Sequence, residues 1–107
     1  MFSFAHQSDQ IAALCRKYDV LQLTAFGSAV RDDFNPSQSD IDLVAEFRNP
    51  HLPGYAARYL DFALELQSLF GRPVDLITPG AIRNRRFARA VRNDSIRIYE
   101  SKDPQAA

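Results

Sequence analysis

Apolar residues recur along this chain with two periods, and the switching between them outlines the fold. Ile11, Leu14, Cys15 and Tyr18 recur at helical spacing, and Ser8 stands where an N-cap would, so Ser8–Tyr18 is predicted as a helix. Val20–Phe26 alternates apolar and polar positions through Leu21, Gln22, Leu23 and Thr24, the period of a half-buried strand. Ser28–Asp33 suits a short helix after a turn at Gly27, and Asn35–Ser39 is a loop by its turn residues. Asp40–Phe47 reads as a second strand, followed by the loop Asn49–Gly54. Tyr55, Tyr59, Phe62, Ala63, Leu66, Leu69 and Phe70 form one continuous helical face, and Gly71 supplies its stop. Arg72–Thr78 is a short third strand broken by Pro79-Gly80; Ala81–Arg92 reads as a helix and Ile96–Tyr99 as a last strand. Helices alternating with strands predict an α/β (α+β) domain, with a small mixed β-sheet flanked by helices.

Length and composition change this picture little. A chain of 107 residues, 46% hydrophobic and 24% charged, fits one globular domain over 1–100 with a short flexible tail over 101–107. No apolar run approaches the roughly 20 residues that cross a bilayer, and Met1–Gln10 lacks the pattern of a signal peptide. The lone Cys15 falls on the apolar face of the first helix, which predicts core packing and a cytoplasmic setting.

Charge is more informative in its distribution than in its sum. The formal net charge is zero, yet residues 1–71 carry five basic and nine acidic side chains, net −4, and residues 72–107 carry eight and four, net +4. Direct nucleic-acid binding is not expected of so balanced a chain. Arg85, Arg89 and Arg92 share one face of the Ala81–Arg92 helix, where they form either a solvated stripe or a docking surface for an acidic partner or a triphosphate. His6 and His51 stand alone in loops, with no second ligand at metal spacing.

The candidate chemistry lies around the first two strands. Gly27-Ser28 follows the first strand directly, where a tight turn with exposed amides suits phosphate oxygens. After a spacer of eleven residues, Asp40-Ile41-Asp42 begins the second strand. Positions two apart in a strand share a face, so the two carboxylates project together, away from Ile41 and Leu43. Hard oxygen ligands beside a phosphate cradle suit Mg²⁺ carrying a nucleoside triphosphate. Asp75 stands among Val74, Leu76 and Ile77, where an unpaired charge is expected to be costly. If its strand neighbours that of Asp40, three carboxylates converge, and the third can take a proton from an attacking hydroxyl. An isolated Asp-x-Asp is ordinarily a solvated pair at a sheet edge; the Gly-Ser turn and Asp75 together favour a site.

Gly27-Ser28, Ser39-Asp40-Ile41-Asp42-Leu43 and Val74-Asp75-Leu76-Ile77-Thr78 together resemble the minimal nucleotidyltransferases of the DNA polymerase β superfamily, the MNT proteins often encoded beside a HEPN-domain partner in toxin–antitoxin pairs. The resemblance covers residues 8–100 and implies a palm-like nucleotidyltransferase fold. It also implies that Gly27 and Ser28 bind the triphosphate with Arg31 nearby, and that Asp40, Asp42 and Asp75 hold two Mg²⁺ ions and serve catalysis. Asp32 stands where the family usually has Gly. The activity implied is transfer of AMP from ATP to a tyrosine hydroxyl of the HEPN toxin, within a hetero-oligomer of the two proteins. Two further readings remain open: an antitoxin that neutralises its partner by occlusion alone, and an adenylyltransferase for a small molecule such as an aminoglycoside.

Overall fold

The computed structural model describes residues 2–31, 34–35, 39–81, 89 and 94–102. Its described elements run α1 (Ser8–Lys17), β1 (Val20–Phe26), β2 (Ile41–Phe47), α2 (Tyr55–Phe70), β3 (Val74–Ile77) and β4 (Ser95–Glu100), with 3-10 turns at Ala5–Gln7, Gly27–Val30 and Pro79–Ala81. The predicted helix over Ala81–Arg92 lies outside the described residues, apart from a helical, exposed Arg89.

Among the described residues the four strands make one mixed sheet in the order β3-β2-β1-β4. β1 pairs antiparallel with both β2 and β4, whereas β2 and β3 are parallel. The long α2 crossover allows that parallel pairing, since parallel neighbours cannot be joined by a tight turn.

Alternation along the strands decides which face is buried. Leu23 and Ala25 of β1, Ile41, Leu43 and Ala45 of β2 and Leu76 of β3 turn to the side where Ile11 and Cys15 of α1 meet Phe62, Leu66 and Phe70 of α2. The three α2 residues stand four apart, so one stripe of the helix is fully covered. Burying each such side chain contributes about 1.5–3 kcal/mol. Gly71 ends α2 in the left-handed region at φ +69°, and its N–H reaches the Gln67 carbonyl at 2.9 Å. The cysteine is in the core, where burial pushes its thiol up to about 12, so it stays protonated and unreactive.

Several expectations need correction. Ser8 is the first residue of α1, not its cap; Gln7 occupies the cap position after a 3-10 turn that also contains His6. That turn is anchored by tertiary contact, because the Gln7 side chain donates to the Leu69 carbonyl at 2.9 Å. The helix expected over Ser28–Asp33 is a 3-10 turn over Gly27–Val30, with Ser28 inside it. β2 begins at Ile41, so Asp40 immediately precedes the strand. β3 is trimmed to Val74–Ile77, and β4 extends to Ser95–Glu100. No described helix is long and apolar enough to cross a membrane.

Candidate functional site

The site grows from the end of β1. Phe26 pairs with Asp42 across the antiparallel ladder, so the next residue, Gly27, turns beside the Asp42 carboxylate. Two constraints make that residue glycine. Its φ of +71° lies in the left-handed region, and a Cβ there would stand 2.6 Å from Asp42 Oδ2. The 3-10 turn that follows places Ser28 half-buried, and its opening amides have no acceptor within the turn itself. Arg31, just after the turn, lies with Nη1 3.6 Å from Asp94 Oδ2. Asp94 immediately precedes β4, whose first residue pairs with Phe26, so the end of β4 and the end of β1 meet at this corner.

β2 and β3 bring the carboxylates together. In the parallel register Asp42 stands directly opposite Asp75, on the sheet face away from the helices. Asp75 is exposed, contrary to the expectation of a charge buried among apolar neighbours: among the described residues β3 is an edge strand. Asp42 is half-buried and carries the strain of the cluster. Burial, then the negative charges of Asp75 and Asp40, raise its carboxyl from 3.8 to about 6, against the opposing pull of Arg31. The six residues singled out from sequence thus gather at one corner of the sheet.

Residues that the linear pattern does not mark support this corner. The Phe2 amide donates to the Ala29 carbonyl at 2.9 Å, so the N-terminal segment laces onto the turn. Phe2 also packs against Phe4, Phe34 and Phe70, with ring centroids 4.9–5.7 Å apart. Arg72 Nη1 donates to the Ser39 carbonyl at 3.2 Å, and its guanidinium lies 5.0 Å from the Phe34 ring centre, which ties the approach to Asp40 to the start of β3. The phenylalanine-rich start of the chain was the only available signal for the first of these supports; the second joins residues 33 apart.

Asp42 and Asp75 stand side by side at this corner, a donor set whose chemistry would fit Mg²⁺, which is commonly held by one or two carboxylates with substrate phosphates and water completing the shell. The mutual repulsion at Asp42 is the further sign of fit, since a cation there offsets it. A cavity of about 680 Å³ lined by Phe47, Asn49, His51, Tyr55 and Thr78 opens at the far end of β2 and includes none of the six residues. It is large and apolar, but the carboxylates and the glycine turn mark the chemistry, so they define the candidate site.

Known proteins share this arrangement of the chain. A protein of Methanocaldococcus jannaschii named "Putative protein adenylyltransferase" is 33% identical over 85 residues, covering 79% of this chain and 83% of that one. A solved structure described as a "putative minimal nucleotidyltransferase" superposes with a TM-score of 0.67 at 22% identity, over 85% of this chain and 88% of the other. A chain from the complex of tri-AMPylated Shewanella oneidensis HEPN toxin with MNT antitoxin superposes with a TM-score of 0.62 at 16% identity, over 94% and 76%. At these identities the two solved structures speak for the fold, a mixed sheet of the minimal nucleotidyltransferase type. The profile of the nucleotidyltransferase domain matches residues 8–99, nearly the whole described fold, and this chain belongs to that family of enzymes.

Proposed function

We propose that this nucleotidyltransferase is the antitoxin of a HEPN/MNT pair and transfers AMP from ATP, with Mg²⁺, to a tyrosine hydroxyl of its HEPN-domain partner. The observation that carries the reading is the side-by-side register of Asp42 and Asp75, with Gly27 turned against Asp42. The protein adenylyltransferase name of the Methanocaldococcus relative and the AMPylated toxin of the Shewanella complex support the choice of nucleotide and acceptor. Balanced charge with separated halves, and a buried free cysteine, suit a cytoplasmic protein that works against another protein.

In this reading the Gly27–Val30 turn receives the triphosphate, and Arg31 offsets its negative charge at the rim. Asp40 and Asp42 would hold Mg²⁺ with Asp75 completing the site, and the ion would supply charge neutralisation to the phosphates of an in-line displacement. The acceptor oxygen forms a bond to the α-phosphorus as the bond to pyrophosphate breaks. Asp75 takes the hydroxyl proton, and pyrophosphate leaves with its electron pair. Asp75 suits that role because it is exposed to an incoming acceptor yet adjacent to Asp42.

The test is incubation of the chain with the HEPN protein encoded beside it, ATP and Mg²⁺, followed by intact mass measurement of the partner. One or more added AMP units are expected, with Asp75→Asn slowing the addition by about 10²–10⁴-fold. Neutralisation of the partner with no mass gained would select occlusion. AMP transfer to an aminoglycoside, but to no protein, would select the small-molecule reading.

A further inference from the structure

The catalytic reading leaves one mechanical problem. Asp75 is exposed and lies on a strand of four residues that, among the described residues, has a neighbouring strand on one side only. A short edge strand frays and pairs with foreign strands unless its free side is occupied. The proton acceptor of a displacement must nevertheless be held within a fraction of an ångström.

The backbone of β3 shows how the free side is occupied. Ile41 N–H donates to the Pro73 carbonyl at 3.0 Å, so in this parallel pair the odd-numbered residues of β3 direct their backbone groups at β2. Val74 and Leu76 therefore direct theirs at the open edge. Both positions find side chains of α2 there. Val74 N–H donates to Gln67 Oε1 at 3.2 Å, and the Tyr59 hydroxyl donates to the Leu76 carbonyl. These two bonds grip β3 immediately before and immediately after Asp75.

The Tyr59 ring is itself fixed. It packs beside the Phe47 and Tyr55 rings, with centroids 6.0 and 6.4 Å away. Gln67 is anchored at its own backbone, where its carbonyl receives the Gly71 N–H that terminates α2. α2 in turn is buried through Phe62, Leu66 and Phe70. The clamp thus transmits the rigidity of the core helix to the strand edge.

We propose that Tyr59 and Gln67 are positioning residues for Asp75, acting by hydrogen bonds to the backbone on either side of it. The proposal rests on the reading of Asp40, Asp42 and Asp75 as one metal-dependent site, and adds to it the device that sets the distance between the two strands' carboxylates. Neither residue touches substrate in this account. Their side chains would be counted as core stripe and solvated helix face on pattern alone.

The experiment is a double-mutant cycle read by Mn²⁺ binding to the isolated chain, measured by electron paramagnetic resonance. It needs no acceptor protein. Tyr59→Phe keeps the ring and deletes the donor; Gln67→Met keeps length and deletes the acceptor. Each is expected to weaken Mn²⁺ roughly tenfold while leaving the circular dichroism spectrum unchanged. In an Asp75→Asn background, neither change should weaken Mn²⁺ further, because the group they position has gone. Equal losses in both backgrounds would mean a general structural role and overturn the clamp. Wild-type Mn²⁺ affinity in both single variants would also overturn it. Absence of Mn²⁺ binding by the wild-type chain would instead sink the underlying metal-site reading, and the clamp with it. Where transfer to the partner is measurable, at saturating Mg²⁺, Tyr59→Phe should lower kcat with the KM for ATP within about twofold, which a loosened fold would not confine to kcat.

Discussion

At the residue scale, Asp42 is where the proposed metal site and stability oppose each other. Its folded carboxyl titrates near 6, above its ordinary 3.8, so the native state binds the proton more tightly than the unfolded chain does. The contribution to stability is therefore complete below about pH 4 and is lost as pH rises through 6. Asp42→Asn should be more stable than wild type at pH 7 by about 1 kcal/mol, after allowing for the screening of a half-exposed group. Thermal melts should show the variant about 4–8 °C higher at pH 7, with the gap closing towards pH 4. A gap independent of pH would mean that Asp42 bears no such repulsion. Mg²⁺-dependent nucleotide binding should run the other way, appearing as pH rises through 6 in wild type and absent in the variant by calorimetry. Gly27 is the second sensitive residue. Gly27→Ala adds a Cβ 2.6 Å from Asp42 Oδ2 in a left-handed conformation, so it should lower stability by roughly 1–3 kcal/mol, checked by urea denaturation.

At the element scale, supports distant in sequence decide how rigid the site is. The segment before α1 carries no periodic signal, yet Phe4 is buried, and Phe2 binds the Ala29 carbonyl. Phe4→Ala should therefore cost about 3–5 kcal/mol, typical of deleting a core aromatic. The loss should be accompanied by faster hydrogen exchange in the Gly27–Val30 turn, beyond that in β4, because the turn loses the packing beneath its N-terminal strap. Uniform acceleration across both elements would show only global destabilisation. Helices α1 and α2 were well marked, and the bounds of α2 followed its apolar spacing at both ends, which needs no partner to be visible. The start of α1 was not: the Ser8 side chain signalled a cap, but the Gln7–Leu69 bond and the aromatic cluster set the boundary one residue earlier.

At the scale of the whole molecule, charge is unevenly divided along the chain, net −4 over residues 1–71 and net +4 over residues 72–107, with no net charge overall. Electrostatic steering of a protein partner follows from such asymmetry more than from net charge. Reversing Arg85 and Arg89 to Glu should slow association with the proposed HEPN partner by about tenfold at low salt and reduce its salt dependence, measured by stopped flow. Nucleotide binding should be preserved if the stripe serves docking. Unaltered association kinetics would make these arginines a solvated face.

Local chemistry was legible in the chain by itself: alternation marked β1 and β2, helical spacing marked the buried stripe of α2, and Gly27, Asp40, Asp42 and Asp75 stood out through their combination, since the Asp-x-Asp pair alone would read as a solvated pair. Those signals are local because strand alternation and turn chemistry act over a few residues. Tertiary structure alone decided the rest. The parallel pairing of β2 with β3 sets Asp75 beside Asp42, although 33 residues separate them, and no local preference specifies which strands become neighbours. Placement of β3 at the edge turned an expected buried charge into an exposed one. The bonds from Phe2 to Ala29, Arg72 to Ser39, Val74 to Gln67 and Tyr59 to Leu76 likewise have no sequence signature. Each depends on backbone groups, which every residue carries, and becomes specific only when packing of the core brings the two segments within hydrogen-bond reach.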